Sequence, residues 1–162
     1  LAFFFFNPGG GPFSFFFLVF NSLFATFFVL AVGGDMNGPT ICGILTIVGF
    51  SSPGKHIRNI APVMLGVYLA SFTKNWALND PAPILALLLS TTLAPVAGQF
   101  GAVAGLLAGY LHSSVALQVG VIYGGMNLYN NGFAGGIVAI FLVPVIQSIS
   151  DRRARARGGL SL

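Results

Sequence analysis

From Phe13 to Val32 the chain runs for about twenty residues without a charged side chain, and stretches of the same character recur almost to its end. A helix of that length reaches roughly 30 Å, the thickness of a bilayer's hydrocarbon core. Only 6% of the 162 residues are charged, against roughly a quarter in soluble domains, so this chain cannot clothe a water-facing surface in charge. The expectation is an all-α integral membrane protein. Leu1 to Phe6 lacks the basic lead of a cleavable secretory signal, and the missing initiator Met suggests a start inside a longer protein.

Six apolar segments are expected, at about 13–33, 39–52, 60–73, 82–95, 101–123 and 133–150, within a membrane domain spanning 1–150. In the first, eight phenylalanines surround the helix rather than forming one stripe, and Asn21 is expected to turn toward other helices, since an amide in lipid lacks partners. The second and third segments are short enough to be half-helices or re-entrant loops as well as crossings. Asn37 is placed to cap the second and Pro39 to sit in its first turn, while Ser51-Ser52-Pro53-Gly54 stops it. Pro62 is read in the first turn of the third, Asp80-Pro81 as the start of the fourth, and Pro95 with Gly98 as its end. Gly101, Gly105 and Gly109 recur at helical spacing and give a face on which a neighbouring helix can approach backbone to backbone.

An even segment count puts both ends on one side. The basic tail 151–162, with four arginines after an apolar run, makes that side cytoplasmic, as positive residues stay inside and touch anionic lipid there. Lys55 and Arg58 then also fall inside and Lys74 outside. Nucleic acid is not expected as a partner: the bilayer accounts for the tail.

Polar residues in such a setting are the functional candidates. The run Gly124 to Gly132, with Asn127, Asn130, Asn131 and Gly132, interrupts apolar sequence and is either a surface turn or a buried break whose free amides form a site. Asn37-Gly38-Pro39 is a second break of the same kind. Lys55, His56, Arg58 and Asn59 form either a positive-inside loop or an anion- or carbonyl-binding loop with His56 as a proton carrier. His112 either bonds a neighbouring helix or relays protons, with Gln118 on roughly the same side. Asp35 lacks the second intramembrane aspartate that aspartyl protease chemistry needs. Cys42 is alone, and no metal-ligand set, catalytic triad or phosphate loop occurs, so no metal, cofactor or enzymatic activity is expected.

Several strings, taken together, resemble a bacterial membrane-protein family catalogued as a domain of unknown function (number 1576). They are Met36-Asn37-Gly38-Pro39, Gly49-Phe50, Gly54-Lys55-His56-Ile57-Arg58-Asn59 through Pro62 to Val67, Thr92-Leu93-Ala94-Pro95, and Gly124 to Gly136. The resemblance covers most of the chain and implies the second half of a duplicated protein about twice this length or more. Pro53 departs from the pattern, which has an aromatic before Gly54. The resemblance supplies no activity.

Duplicated folds with short, broken helices recur among transporters and channels, with the site at the repeat interface. The leading expectation is a channel or secondary transporter for a small polar solute in the bacterial cytoplasmic membrane. Asn37, Gly38, Asn127, Asn130, Asn131 and Gly132 would form its path, His56 or His112 would couple protons, and Lys55 and Arg58 would guard the cytoplasmic mouth. The alternative is a non-transporting scaffold that assembles through its glycine face. A partner half or a second copy is the expected protein partner.

Overall fold

Asparagine and proline mark the first short helix of this chain. The computed structural model describes the backbone of residues 11–51, 54–121 and 127–158. Among these residues every regular element is helical: α1 (Gly11–Ala31), α2 (Gly38–Gly49), α3 (Ile57–Ser71), α4 (Pro81–Leu89), a 3-10 turn (Ser90–Leu93), α5 (Ala94–Phe100), α6 (Ala102–Ala116), a second 3-10 turn (Val119–Val121) and α7 (Asn127–Gly158). Two stretches are long and apolar enough to cross a membrane: Pro81–Phe100, which joins α4 to α5 through the first 3-10 turn, and Tyr129–Arg153 within α7.

Asn37 caps α2 as expected, its Oδ1 accepting from Thr40 N at 3.0 Å and from Thr40 Oγ1 at 2.9 Å. Asp80 starts α4 but makes no side-chain cap. Because α4 opens Pro81-Ala82-Pro83, Ala82 is the one residue of its first three with an N–H to offer a cap.

Four sequence expectations are corrected. Helix α3 begins at Ile57, so Pro62 lies inside it, beyond the first turn. Pro95 does not end the fourth segment; it sits in the first turn of α5, where no amide donor is needed, and Gly98 is helical within α5. Gly101 is not on the α6 face: with φ of 90° it joins α5 to α6, a conformation open to glycine. Asn130, Asn131 and Gly132 form no break, because α7 starts at Asn127 and runs 32 residues into the arginine tail, where Ala and Arg favour helix. Gly124, Gly125, Met126 and Pro53 lie outside the described residues.

Helix α3 is the centre of the molecule. Its Ile60, Met64 and Val67 pack with Ala25 and Val29 of α1, Ile44 and Ile47 of α2, and Leu87 and Leu88 of α4. Its Val63 joins a second cluster with Val96 and Ala97 of α5, Ala104 and Ala108 of α6, and Val138 of α7. Between the clusters α3 and α6 meet through their backbones. A Cβ on Gly109 would collide with the carbonyl of Val63, and one on Gly66 with the carbonyl of Leu106. Gly105 is closed in by Ala97 and Pro62. The glycine face is therefore filled within the chain by α3 and α5.

In α1 the buried positions are Asn21, Ala25 and Val29, a four-residue repeat on one stripe, whereas Phe16, Phe20 and Phe27 face outward.

Gly109→Val is expected to lower the melting temperature of detergent-solubilised protein. The cost should exceed the ~1–3 kcal/mol usual for overpacking, because backbone and not a flexible side chain must move. Gly132→Ala, at a helical position with open space, should leave stability unchanged or raise it by up to ~1 kcal/mol. Thermal unfolding of both variants beside the parent chain is the check.

Candidate functional site

Asn21 is fully buried in α1 and holds the loop that follows α2. Its Nδ2 donates to Ser51 Oγ and to the Lys55 carbonyl, both at 2.8 Å. Ser51 Oγ in turn donates to the Ile47 carbonyl at 2.9 Å, which ties the loop to the last turns of α2. Gly54 permits the turn with φ of 119°. Asn59 secures the far side, its Nδ2 donating to the Gly54 carbonyl at 3.0 Å and its Oδ1 accepting from His56 N at 2.9 Å at the start of α3. Each of these amides satisfies backbone groups that a loop between apolar helices would otherwise leave unpaired.

So held, the loop turns Lys55 inward. The residue is only 9% exposed, its Nζ donates to Thr91 Oγ1 at 3.1 Å, and the ammonium lies 5.0 Å from the centre of the Phe50 ring. Phe50 supplies an attractive ring face but no counter-charge. Burial pulls the Lys55 pKa down from 10.5 to about 8. A cavity of about 440 Å³ opens beside it, walled by Phe50, Asn59, Thr92 and Pro95.

Thr91 belongs to the 3-10 turn that interrupts Pro81–Phe100. Ser90 Oγ donates to the Leu87 carbonyl and Thr91 Oγ1 to the Leu88 carbonyl, both at 2.7 Å, so the side chains answer carbonyls at the end of α4. Because Thr91 spends its proton on Leu88, its lone pair accepts from Lys55. Thr92, next in the turn, faces α7: a Cβ on Gly135 would lie 3.2 Å from Thr92 Oγ1. One turn back along α7 from Gly135 is Asn131, whose carbonyl lies 3.2 Å from His112 Nε2 of α6. His112, Asn130 and Asn131 are all buried. The 3-10 turn thus stands between two polar groups of side chains, with Ser90 and Thr91 buried and Thr92 exposed.

The expected site residues divide as follows. Lys55 and Asn59 share the cavity, whereas His56 and Arg58 line a separate surface hollow with Phe17 and Phe20, so the basic loop faces two ways. His112, Asn130 and Asn131 come together between α6 and α7. Asn37 and Gly38 remain apart from them, with Asn37 committed to its cap. The side chain of Asn127 lies outside the described residues. Gln118 does not join His112: α6 ends at Ala116 and Gln118 is exposed. Gly105 and Gly109 pack internally, and Gly101 is a joint. Sequence reasoning missed Asn21 as a clamp and Ser90 and Thr91 altogether; it read Ser51 only as part of a helix stop and Thr92 only as part of a family string. The Ser90-Thr91-Thr92 triplet inside an apolar segment was the available signal.

The lysine makes stability depend on pH. Below pH 8 it is charged in both the folded and unfolded chain, and the folded state bears the whole desolvation cost, about 3 kcal/mol. Between pH 8 and 10.5 the unfolded chain binds more protons, so stability rises with pH; above that window the cost is gone. Lys55→Met should therefore melt higher than the parent chain at pH 7, with the difference shrinking toward pH 10. A pH-independent difference would contradict this account.

Neither the curated proteins nor the solved structures contain a match to this chain. A family model does match, over residues 3–148, taking in all of the helices from α1 to α6 and most of α7. The chain belongs to the family described as Protein of unknown function (DUF1576).

Proposed function

We propose that this chain is a membrane-embedded unit that passes a small polar solute, as a channel or secondary transporter. On this reading it is half of a duplicated protein of the bacterial cytoplasmic membrane, with its C-terminus inside. The distribution of side chains supports the membrane setting. Phe27, Ile140 and Phe141 are 70% exposed or more, while Asn21, Ser90 and His112 are wholly buried. Large apolar side chains outside and polar ones inside suit lipid as the surrounding medium.

The observation that carries the transport reading is the polar seam at the 3-10 turn. Lys55 and Asn59 lie on one side, His112 and Asn131 on the other, and Thr91 and Thr92 between them. Hydroxyls and amides at a break in an apolar helix are the materials from which transporters build solute sites, an argument from architecture. Compared with the sequence reading, the centre of the proposed path moves from the Asn37 and Asn127 regions to this turn. A scaffold role loses the glycine face, which is filled within the chain.

Chain reconstituted into liposomes should speed the re-swelling of osmotically shrunken vesicles for at least one small polar solute, followed by stopped-flow light scattering. The double variant Thr91→Val/Thr92→Val should slow that flux about tenfold, on the order of the loss of one buried polar contact, that of Thr91. Flux equal to that of the parent chain would remove the turn from the path. Asn127→Ala/Asn130→Ala, measured alongside, reports whether the start of α7 contributes.

A further inference from the structure

Lys55 is a buried cation without an anion. The chain has three acids, Asp35, Asp80 and Asp151; all three are exposed, and among the described residues none pairs with Lys55. The groups that surround the ammonium are neutral. From α1 the Asn21 amide holds the Lys55 carbonyl, from the 3-10 turn Thr91 accepts one proton, and from the loop Phe50 offers its ring. The nearest ionisable neighbours in sequence, His56 and Arg58, line the separate hollow with Phe17. An ammonium carries three donors, and Thr91 takes one. A buried charge left in this condition is costly unless something of opposite sign comes to it.

The cavity beside it has room and a matching character. Its volume of about 440 Å³ is that of a small-molecule site. Lys55, Asn59 and Thr92 give it a polar wall, and Phe50, Ala94 and Pro95 an apolar one. One cation calls for one negative charge, and the apolar wall disfavours a strongly hydrated dianion. The apolar wall also gives a hydrocarbon body something to cover, which a bare halide would leave unused.

We propose that this cavity binds a small organic monocarboxylate, with its carboxylate on Lys55 Nζ beside Thr91 and its hydrocarbon body along Phe50 and Pro95. The inference rests on the transport reading only for its consequence, that such an anion is the solute passed; the binding site stands on its own geometry. Asn21 and Ser51 act as positioning residues, since they fix the loop that aims the lysine.

The test is equilibrium binding to the full chain in nanodiscs of phosphatidylcholine alone, which leaves no anionic lipid to compete, by calorimetry and by shift of melting temperature. Propionate is the probe; propionamide is its neutral counterpart, and chloride and inorganic phosphate are the other anion arms. Propionate should bind saturably and at least tenfold more tightly than propionamide, chloride or phosphate. Lys55→Met should lose that preference. Should that variant fail to fold, the pH dependence of the parent chain decides. Propionate affinity should fall by about tenfold per pH unit above pH 8, as the lysine gives up its proton. Equal binding of propionate and propionamide, binding indifferent to both Lys55 and pH, tighter binding of chloride or phosphate, or no binding at all would each overturn the proposal. Binding without propionate flux in liposomes would keep the site and overturn its role in transport, so the two failures are distinguishable.

Discussion

The contact between α3 and α6 through Gly66 and Gly109 sets the distances on which everything else in this molecule depends. Two helices without side chains between them approach until backbone meets backbone. Dispersion and weak Cα–H···O contacts replace the side-chain interdigitation used elsewhere. Because α3 then has its remaining faces free, it carries both apolar clusters, one with α1, α2 and α4 and one with α5, α6 and α7. Tyr110 of α6 closes the far end of the same contact by a 2.8 Å hydrogen bond to Thr73, just past α3. Pro62, which withholds a hydrogen bond inside α3, lies against Gly105, so the small residue of α6 stands opposite the irregular turn of its partner.

Beside α3 and α6, the stretch formed by α4 and α5 does not run unbroken. At Ser90–Leu93 it tightens to 3-10 geometry. In water such a turn would be solvated. Here Ser90 and Thr91 are buried, and their hydroxyls return to the carbonyls of Leu87 and Leu88. An apolar interior requires that accounting, because each unpaired carbonyl would cost ~1–3 kcal/mol. Bending one helix and stationing hydroxyls at the bend are therefore one event. Of these hydroxyls, that of Thr91 meets Lys55, and that of the next residue, Thr92, lies against Gly135 of α7.

How far this was legible in sequence depends on whether a feature is local. The helical class follows from long uncharged runs, and the Asn37 cap follows from Asn-Gly-Pro-Thr, a signal contained in four residues. Asp80-Pro81 marks the helix start correctly, although the Asp80 side chain makes no cap there. Gly101, Gly105 and Gly109 looked equivalent at four-residue spacing, yet only the last two are on α6, since a left-handed joint is set by where α5 must end. Asn130, Asn131 and Gly132 have the composition of a break and are helical nonetheless. Tertiary contact outweighs weak propensity there, with the Asn131 carbonyl facing His112 and Asn130 buried. Asn21 reaches across the whole of α2 to the loop at Ser51 and Lys55, 30 and 34 residues away, and no periodicity encodes it.

Lys55 shows what the local rules leave out. Read as sequence, a lysine in a loop between apolar segments belongs at the membrane surface, where charge is solvated. Among the described charged side chains it is nevertheless the one that is buried, and the cause is its main chain, not its side chain. The Asn21 amide binds the Lys55 carbonyl, Asn59 binds the carbonyl of Gly54, and with both peptide groups fixed the side chain has one direction open to it. Asn21 accepts a cost in doing so, for its own Oδ1 is buried with no hydrogen-bond partner among the described residues. The clamp and the charge it aims are both unfavourable taken alone. They persist because the glycine contact and the two apolar clusters supply stability elsewhere, and both costs fall beside the cavity that Lys55 lines.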